Sequence, residues 1–263
     1  MGQLATNAIS AAAALLWRQW TGATRIAELP PDIRPHTRAD GYAIQSAIVT
    51  LFQQPLVGFK IAATSVAGQK HIGVDGPLVG SLMADRVLPN GAVISLAGTH
   101  MRVAEAEFAF RFARDLTPRG RPYDVGEVLE AVGDLHPTIE IPDSRFEDFA
   151  VVGAAQLIAD DACACWLAVG AAVSDWRGVD LVAHPVEGVL DGAPVVRGTG
   201  ANVLGDPRAA LTWMVNERCT YGAGVSAGDL VTTGTCISPV AIAPGQHFRA
   251  DFSALGELEV LLT

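Results

Sequence analysis

Residues 103–113 read VAEAEFAFRFA, an alternation with a period of two. Successive side chains of a strand point to opposite faces. Ala104, Ala106, Phe108, Phe110 and Phe112 therefore share one side, and Glu105, Glu107, Ala109 and Arg111 share the other. The aromatic side belongs in a core. The first half of the opposite side carries two carboxylates roughly 7 Å apart, from a rise of about 3.3 Å per residue. Only 17% of the chain is charged, yet two acids stand together in a segment that otherwise reads as buried strand.

Short runs of the same kind fill the chain from about residue 55 onward. They are LVGFKIA (56–62), AVISL (92–96), HPTIEI (136–141), DLVAHPVEGVLDG (180–192), APVVRG (193–198), DLVTTG (229–234), HFRADFS (247–253) and LGELEVLL (255–262). Gly, Pro and Asn-Gly turns bound them. Helical spacing of Ala, Leu, Ile and Trp predicts a helix over 3–20, and Pro30, Pro31 and Pro35 mark a linker. A second helix is expected from Ala39–Asp40 to about Gln53, with Asp40 as N-cap or first-turn acid. Two further helices are expected over 150–161 and 206–219, the latter opened by Asp206 with Pro207 at its first position. The strands are too many and too irregularly connected for a doubly wound sheet. The fold class is α+β, with a mixed, mostly antiparallel, rolled sheet. The composition shift divides the chain into an N-terminal helical segment, 1–55, and a main domain, 56–263; the first part is too small for a core of its own.

Bulk properties narrow the function. Half of the 263 residues are apolar and the formal net charge is −10. Such a chain lacks the basic face that neutralises phosphates, so no nucleic-acid partner is expected. It also lacks a basic amphipathic patch for anionic membranes. The apolar run Ala8–Trp17 is about half the length of a bilayer span, without the flanks of a signal peptide. Cys163, Cys165, Cys219 and Cys236 form no C-x-x-C pair, which fits reduced thiols in a cytoplasm.

Two carboxylates in an enclosed place repel, and one takes up a proton unless a cation sits between them. A hard divalent ion with oxygen ligands resolves this, Mg²⁺ first among them; a solvated strand face paired with Arg102, Arg111 or water is the alternative. A third acid repeats the setting: in HPTIEIPDSR, Glu140 falls on the face opposite Ile139 and Ile141. Lys60, in GFKIAATS, is a lone cation in an apolar strand, followed by Thr64 and Ser65. It reads as a site residue or as a lysine snorkelling at a strand end. Asp75, in GVDGP, reads locally as a turn residue.

Taken in order, GFKIAATS, GVDGP, EAE, TIEIPDSR, GTGANVLGDPRAALTWMVN, GDLVTTGT and PGQHFRADFSALGELEV resemble the fumarylacetoacetate hydrolase superfamily. Within it the chain is most similar to the branch of 2-keto-4-pentenoate (2-hydroxypentadienoate) hydratases and 4-oxalocrotonate decarboxylases, from about residue 40 to the C-terminus. The resemblance implies the β-roll of the family's C-terminal domain. It implies an octahedral Mg²⁺ (or Mn²⁺) held by Glu105, Glu107 and Glu140, with positions left for substrate and water. The implied activity is addition of water to a 2-hydroxy-2,4-dienoate. Decarboxylation of 4-oxalocrotonate ranks second and C–C hydrolysis of an acylpyruvate-like substrate third, with His71 the one histidine placed for the latter. A non-catalytic partner subunit is the remaining alternative. Lys60 is expected to assist the C2 oxygen or the substrate carboxylate, and Asp75 to steer protons or water near the remote carbons. Thr64, Ser65 and Thr235 are expected pocket walls. Cys163 stands where the family pattern has a serine. Arg145 is expected either to meet a second substrate carboxylate or to bridge a nearby acid. A homo-oligomer is implied as well.

Overall fold

The computed structural model describes residues 4–263. Six α-helices lie among them: α1 Thr6–Gly22, α2 Arg38–Leu51, α3 Val66–His71, α4 Val125–Ala131, α5 Ala154–Ala159 and α6 Pro207–Tyr221. The first seven strands are β1 Leu56–Ala62, β2 Leu78–Met83, β3 Val87–Pro89, β4 Ala92–Ile94, β5 Val103–Phe112, β6 Val132–Ile141 and β7 Trp166–Val169. The remaining six are β8 Pro185–Leu190, β9 Ala193–Thr199, β10 Leu230–Thr235, β11 Val240–Ala241, β12 His247–Asp251 and β13 Glu257–Leu262.

An eight-stranded sheet runs β2-β1-β10-β5-β6-β7-β3, with β11 joined to β5, and a five-stranded sheet runs β4-β13-β12-β8-β9. Only β1/β10, β3/β7 and β4/β13 pair in parallel, so the expected mixed, mostly antiparallel architecture holds. Phe108, from the centre of β5, meets Phe252 edge-on at 5.3 Å. This contact joins the aromatic side of β5 to residues beside β12 in one continuous core. The expected solvated-face alternative does not occur. Glu107 and Ala109 are as fully buried as the phenylalanines, so β5 is covered on both sides.

The start predicted for α1, residue 3, lies outside the described residues; the helix is seen from Thr6. Asp40 is the first-turn acid of α2, in a reciprocal capping box with Thr37. Leu16, Ile44, Ile48 and Phe52 of these two helices bury against Met83, Phe146 and Ala159 of the sheet body. The helix expected over 150–161 is shorter. Gly153, at φ 81°, precedes its start, and Asp161, Ala162 and Cys163 follow it in the left-handed region at φ 54°, 48° and 61°. Such a conformation costs an L-residue roughly 1–2 kcal/mol, and here three in succession are held by surrounding bonds. The Ser81 amide donates to Asp161 Oδ1 at 2.7 Å and the Asp143 amide to the Cys163 carbonyl at 2.9 Å.

Candidate metal centre and its cavity

Antiparallel pairing sets the three acids together. Glu105 on β5 lies directly opposite Glu140 on β6, and Glu107 lies opposite Thr138 on one side and Thr235 of β10 on the other. Like charges directly across a strand pair repel, and this pair is enclosed. A carboxylate oxygen from each of Glu105, Glu107 and Glu140 lies within 4.8 Å of the others. Burial raises the Glu107 carboxyl well above the ordinary carboxylate range, with Glu140 and Glu105 adding to the effect. Burial and the neighbouring Glu140 push the Glu105 carboxyl up to about 7, against the opposing pull of Lys60.

The donor atoms remain open. Glu107 Oε2 accepts from the Gly234 amide at 2.9 Å, but Glu107 Oε1 and both oxygens of Glu140 are buried without a hydrogen bond. Leaving buried polar atoms unmatched costs on the order of 1–3 kcal/mol each, and a carboxylate more. Lys60 Nζ lies 3.0 Å from Glu140 Oε1, at ion-pair distance though out of hydrogen-bond alignment. Burial alone would lower the Lys60 ammonium, but Glu140, Glu105 and Glu107 outweigh it and hold the pKa above its ordinary value. One ammonium against three carboxylates leaves a net anionic, oxygen-only donor set. That set fits a hard divalent cation, which supplies the missing partners without needing a thiolate or imidazole.

Two glycines make this packing possible. Gly234 sits at φ +96°, and a Cβ there would stand 1.9 Å from Thr64 Oγ1; its absence lets the amide reach Glu107. A Cβ on Gly80 would stand 2.3 Å from the Asp161 carbonyl, blocking the left-handed turn. That turn in turn presents the Ala162 carbonyl to Lys60 Nζ at 3.1 Å.

A cavity of about 600 Å³ opens over the centre, lined at its inner end by Lys60, Glu105, Cys163 and Gly234. Thr64, Ser65 and Thr235 line it too. Ser65 Oγ accepts from the Gly68 amide and caps α3, while Thr235 Oγ1 donates to the Ile237 carbonyl. Burial pushes the Cys163 thiol up to about 12, so it stays protonated and serves as a wall. His71 stands at the cavity, exposed, against Phe149.

Two residues expected at the site lie elsewhere. The Asp75 side chain is 86% exposed, pairs with Arg38 at 3.1 Å and does not line the cavity. It occupies the turn before β2 and faces solvent. Arg145 is buried and committed to Asp160: its Nε reaches Asp160 Oδ1, and its terminal nitrogens reach the Asp143, Asp160 and Ala164 carbonyls. Of the two alternatives for Arg145, the bridge to an acid is the one observed. Sequence reasoning missed Ala162, Gly80 and the apolar row beyond Glu105. A left-handed run of non-glycine residues has no sequence signal. The position of Val103 did have one, because β5 alternation places it on the glutamate face.

A rolled mixed sheet brings three carboxylates together beneath a cavity, two of them fully buried and with unpaired oxygens, which defines a candidate carboxylate-type metal site on a β-roll. The model of the fumarylacetoacetate (FAA) hydrolase C-terminal family matches residues 60–262, and the chain belongs to that family. It is 31% identical over 254 residues to 2-keto-4-pentenoate hydratase 2 of Dechloromonas aromatica strain RCB, covering 95% of this chain and 96% of that protein. A 4-oxalocrotonate decarboxylase of Pseudomonas putida is 31% identical over 225 residues, 84% of each chain. Among solved structures, the 4-oxalocrotonate decarboxylase from Pseudomonas putida G7, complexed with magnesium and adipate, superposes with a TM-score of 0.91 at 26% identity, over 100% of both chains. Among the described residues no helix is long and apolar enough to cross a membrane.

Proposed function

We propose that the protein is a divalent-metal-dependent hydro-lyase. It adds water to a 2-hydroxy-2,4-dienoate of the 2-keto-4-pentenoate type and releases a 4-hydroxy-2-oxo acid, as a step in the breakdown of ring-cleaved aromatic compounds. The observation that carries this reading is the orphaned state of Glu107 Oε1 and both Glu140 oxygens, all buried, at the base of a cavity large enough for a small organic acid. Glu105, Glu107 and Glu140 would hold Mg²⁺, or Mn²⁺ in its place. When bound, that ion acts as a Lewis acid toward the C2 oxygen of a 2-oxo or 2-hydroxy acid.

The chain's own groups do the rest. Lys60, held cationic by its three acidic neighbours, supplies fixed positive charge toward the substrate carboxylate or C2 oxygen and is too strong a base to give up its proton readily. The dienol loses its O–H proton and gains one at C5; hydroxide from water then enters at C4 and a proton at C3, so one water is consumed overall. Thr64, Ser65 and Thr235 offer hydroxyls along the cavity wall that can orient the incoming water. The apolar groups Ile72, Leu157 and Phe149 exclude bulk water and strengthen the local charges.

Decarboxylation of 4-oxalocrotonate is the second reading. The full-length likeness to a decarboxylase holding magnesium and adipate favours it, and the same charge sink at C2 would serve departing CO₂. One assay separates them. The protein is offered 2-hydroxypenta-2,4-dienoate and 2-oxo-3-hexenedioate with Mg²⁺ or Mn²⁺, while dienol or enone absorbance and CO₂ are followed. Consumption of the dienoate without CO₂ supports the hydratase; CO₂ from the dicarboxylate overturns it. The proposal includes a cytoplasmic location and a homo-oligomer, the latter supported by the family resemblance and by Val66 and Val151, 82% and 75% exposed. Light scattering that returns the single-chain mass of 27.5 kDa would refute the oligomer.

A further inference from the structure

The cavity has two unlike walls. One is polar, built from Thr64, Ser65, Asn202, Thr235 and Ser238. The other begins on β5. Two-residue periodicity sets Glu107, Glu105 and Val103 in line on one face, and Met101, just before the strand, also lines the cavity. Phe149, Leu157, Ile72 and Pro142 face the same space. Moving outward along the row, the side chains change from anionic to wholly apolar.

The charge inventory is lopsided. Among the described residues that line the cavity, Lys60 is the only lysine or arginine, and it sits with the carboxylates at the inner end. Neighbours in sequence do not supply a second cation to the lining. Arg102 Nε donates to the Thr99 carbonyl and Lys70 is exposed. A second substrate carboxylate lying against Val103, Met101 and Leu157 would be desolvated with no lysine or arginine to pair with, which is strongly unfavourable; the exposed His71 is the one imidazole among the described lining residues. The space is also generous. About 600 Å³ is within the range of pockets that hold drug-sized ligands, far beyond what a five-carbon acid fills.

We infer that the substrate is a monocarboxylate with an extended apolar substituent on the carbon farthest from its carboxylate. Val103, Met101, Phe149 and Leu157 select that substituent and reject a distal carboxylate. The inference rests on the proposed reading of the metal centre as the seat of a 2-oxo or 2-hydroxy acid. Full burial of each added methylene is worth about fourfold in affinity, so a chain of several carbons gives a large, readable gain.

The test uses saturated 2-oxo acids, whose binding requires no turnover, on the full chain with Mg²⁺. Dissociation constants of 2-oxopentanoate, 2-oxooctanoate and 2-oxoadipate are measured by calorimetry. The octanoate is expected to bind at least tenfold tighter than the pentanoate, and the adipate at least tenfold weaker. Met101→Arg is expected to reverse the order of octanoate and adipate. Should that variant not fold, Met101→Ser lowers affinity for the octanoate alone. Equal affinities, or a preference for 2-oxoadipate abolished by His71→Ala, overturn the inference and leave the reading of the centre intact. Failure of all three acids to bind with Mg²⁺ present overturns both.

Discussion

Two buried ion pairs flank the left-handed turn at 161–163, and they are built on opposite plans. In the Arg145–Asp160 pair, with side chains 3% and 0% exposed, nearly every donor and lone pair is matched. Arg145 spends its nitrogens on Asp160 and three carbonyls, while Asp160 also accepts from Ser144 Oγ at 2.7 Å and the Arg145 amide at 3.0 Å. The Lys60–Glu140 pair, 3% and 1% exposed, is equally dry but unfinished, with both Glu140 oxygens lacking a hydrogen bond and two more carboxylates crowded beside it. Burying an ion pair is offset only when the remaining valences are met. The first pair meets them internally and is structural. The second leaves them open, and the open valences are what a metal and its substrate require.

Deletion experiments can break this contrast. Arg145→Met strands Asp160 in the core, and loss of about 3–5 kcal/mol of folding free energy is expected, a fall in Tm on the order of 10 °C for a chain of this size. Added Mg²⁺ should leave that fall unchanged. Lys60→Met also destabilises the metal-free chain, since it removes the only cation beside three acids, but here Mg²⁺ should restore most of the loss. Thermal melts of both variants with and without Mg²⁺ measure this; equal rescue of the two would erase the distinction.

Next in size is Glu107→Gln. It preserves the shape of the site and the acceptor for the Gly234 amide but removes one of three charges. Turnover and Mg²⁺ affinity are both expected to drop about 100-fold or more, the latter read from a smaller Mg²⁺-induced rise in Tm. The metal-free variant should melt no lower than the parent, because like-charge repulsion is relieved. A variant that kept full activity would disprove the metal assignment.

The pH dependence is smaller and has a definite sign. In the metal-free fold the Glu105 carboxyl is raised to about 7, above its unfolded value of about 4.3. Folding therefore takes up a proton between those values, and the metal-free chain loses stability as pH rises through that window. A bound cation must displace that proton and any that the raised Glu107 carboxyl holds, so apparent Mg²⁺ affinity should fall by at least about tenfold per pH unit below 7. Calorimetric titration at pH 6 and pH 8 reads it directly. A flat profile would place both Glu105 and Glu107 outside the cation's reach.

What the sequence disclosed follows the range of each interaction. Alternation in VAEAEFAFRFA and HPTIEI gave the strands, put Glu105 and Glu107 on one face and set Glu140 opposite Ile139 and Ile141, because strand periodicity is local. The pairing of Glu105 opposite Glu140 is a register between distant segments and was reachable only through the family resemblance. β2, a run buried at every position, has no alternation to betray it, and the six-residue α3 is too short for a helical period. The turn at Asp161–Cys163 escaped altogether. Its left-handed backbone is imposed by Ser81, Asp143 and Arg145, none of them a neighbour in sequence, and it is what brings the Ala162 carbonyl to Lys60.

The smallest expected effect belongs to Asp75, the point at which the family resemblance and the geometry part most sharply, whereas the local reading as a turn residue agrees with the fold. The resemblance implies a place near the remote carbons of the substrate, yet its side chain faces solvent and pairs with Arg38. Arg38 is itself anchored to Glu217 at 3.0 Å and to the Pro77 carbonyl at 2.9 Å, so it keeps its position without Asp75. Exposed pairs contribute about 0–1 kcal/mol. Asp75→Asn is therefore expected to change Tm by no more than a few degrees and kcat by less than about twofold. A tenfold loss of kcat with unchanged Tm would mean that α3 and the turn behind it close over the cavity during turnover and carry Asp75 to the substrate. Steady-state kinetics of this one variant thus decides whether the cavity works in the form described or only after that segment has moved.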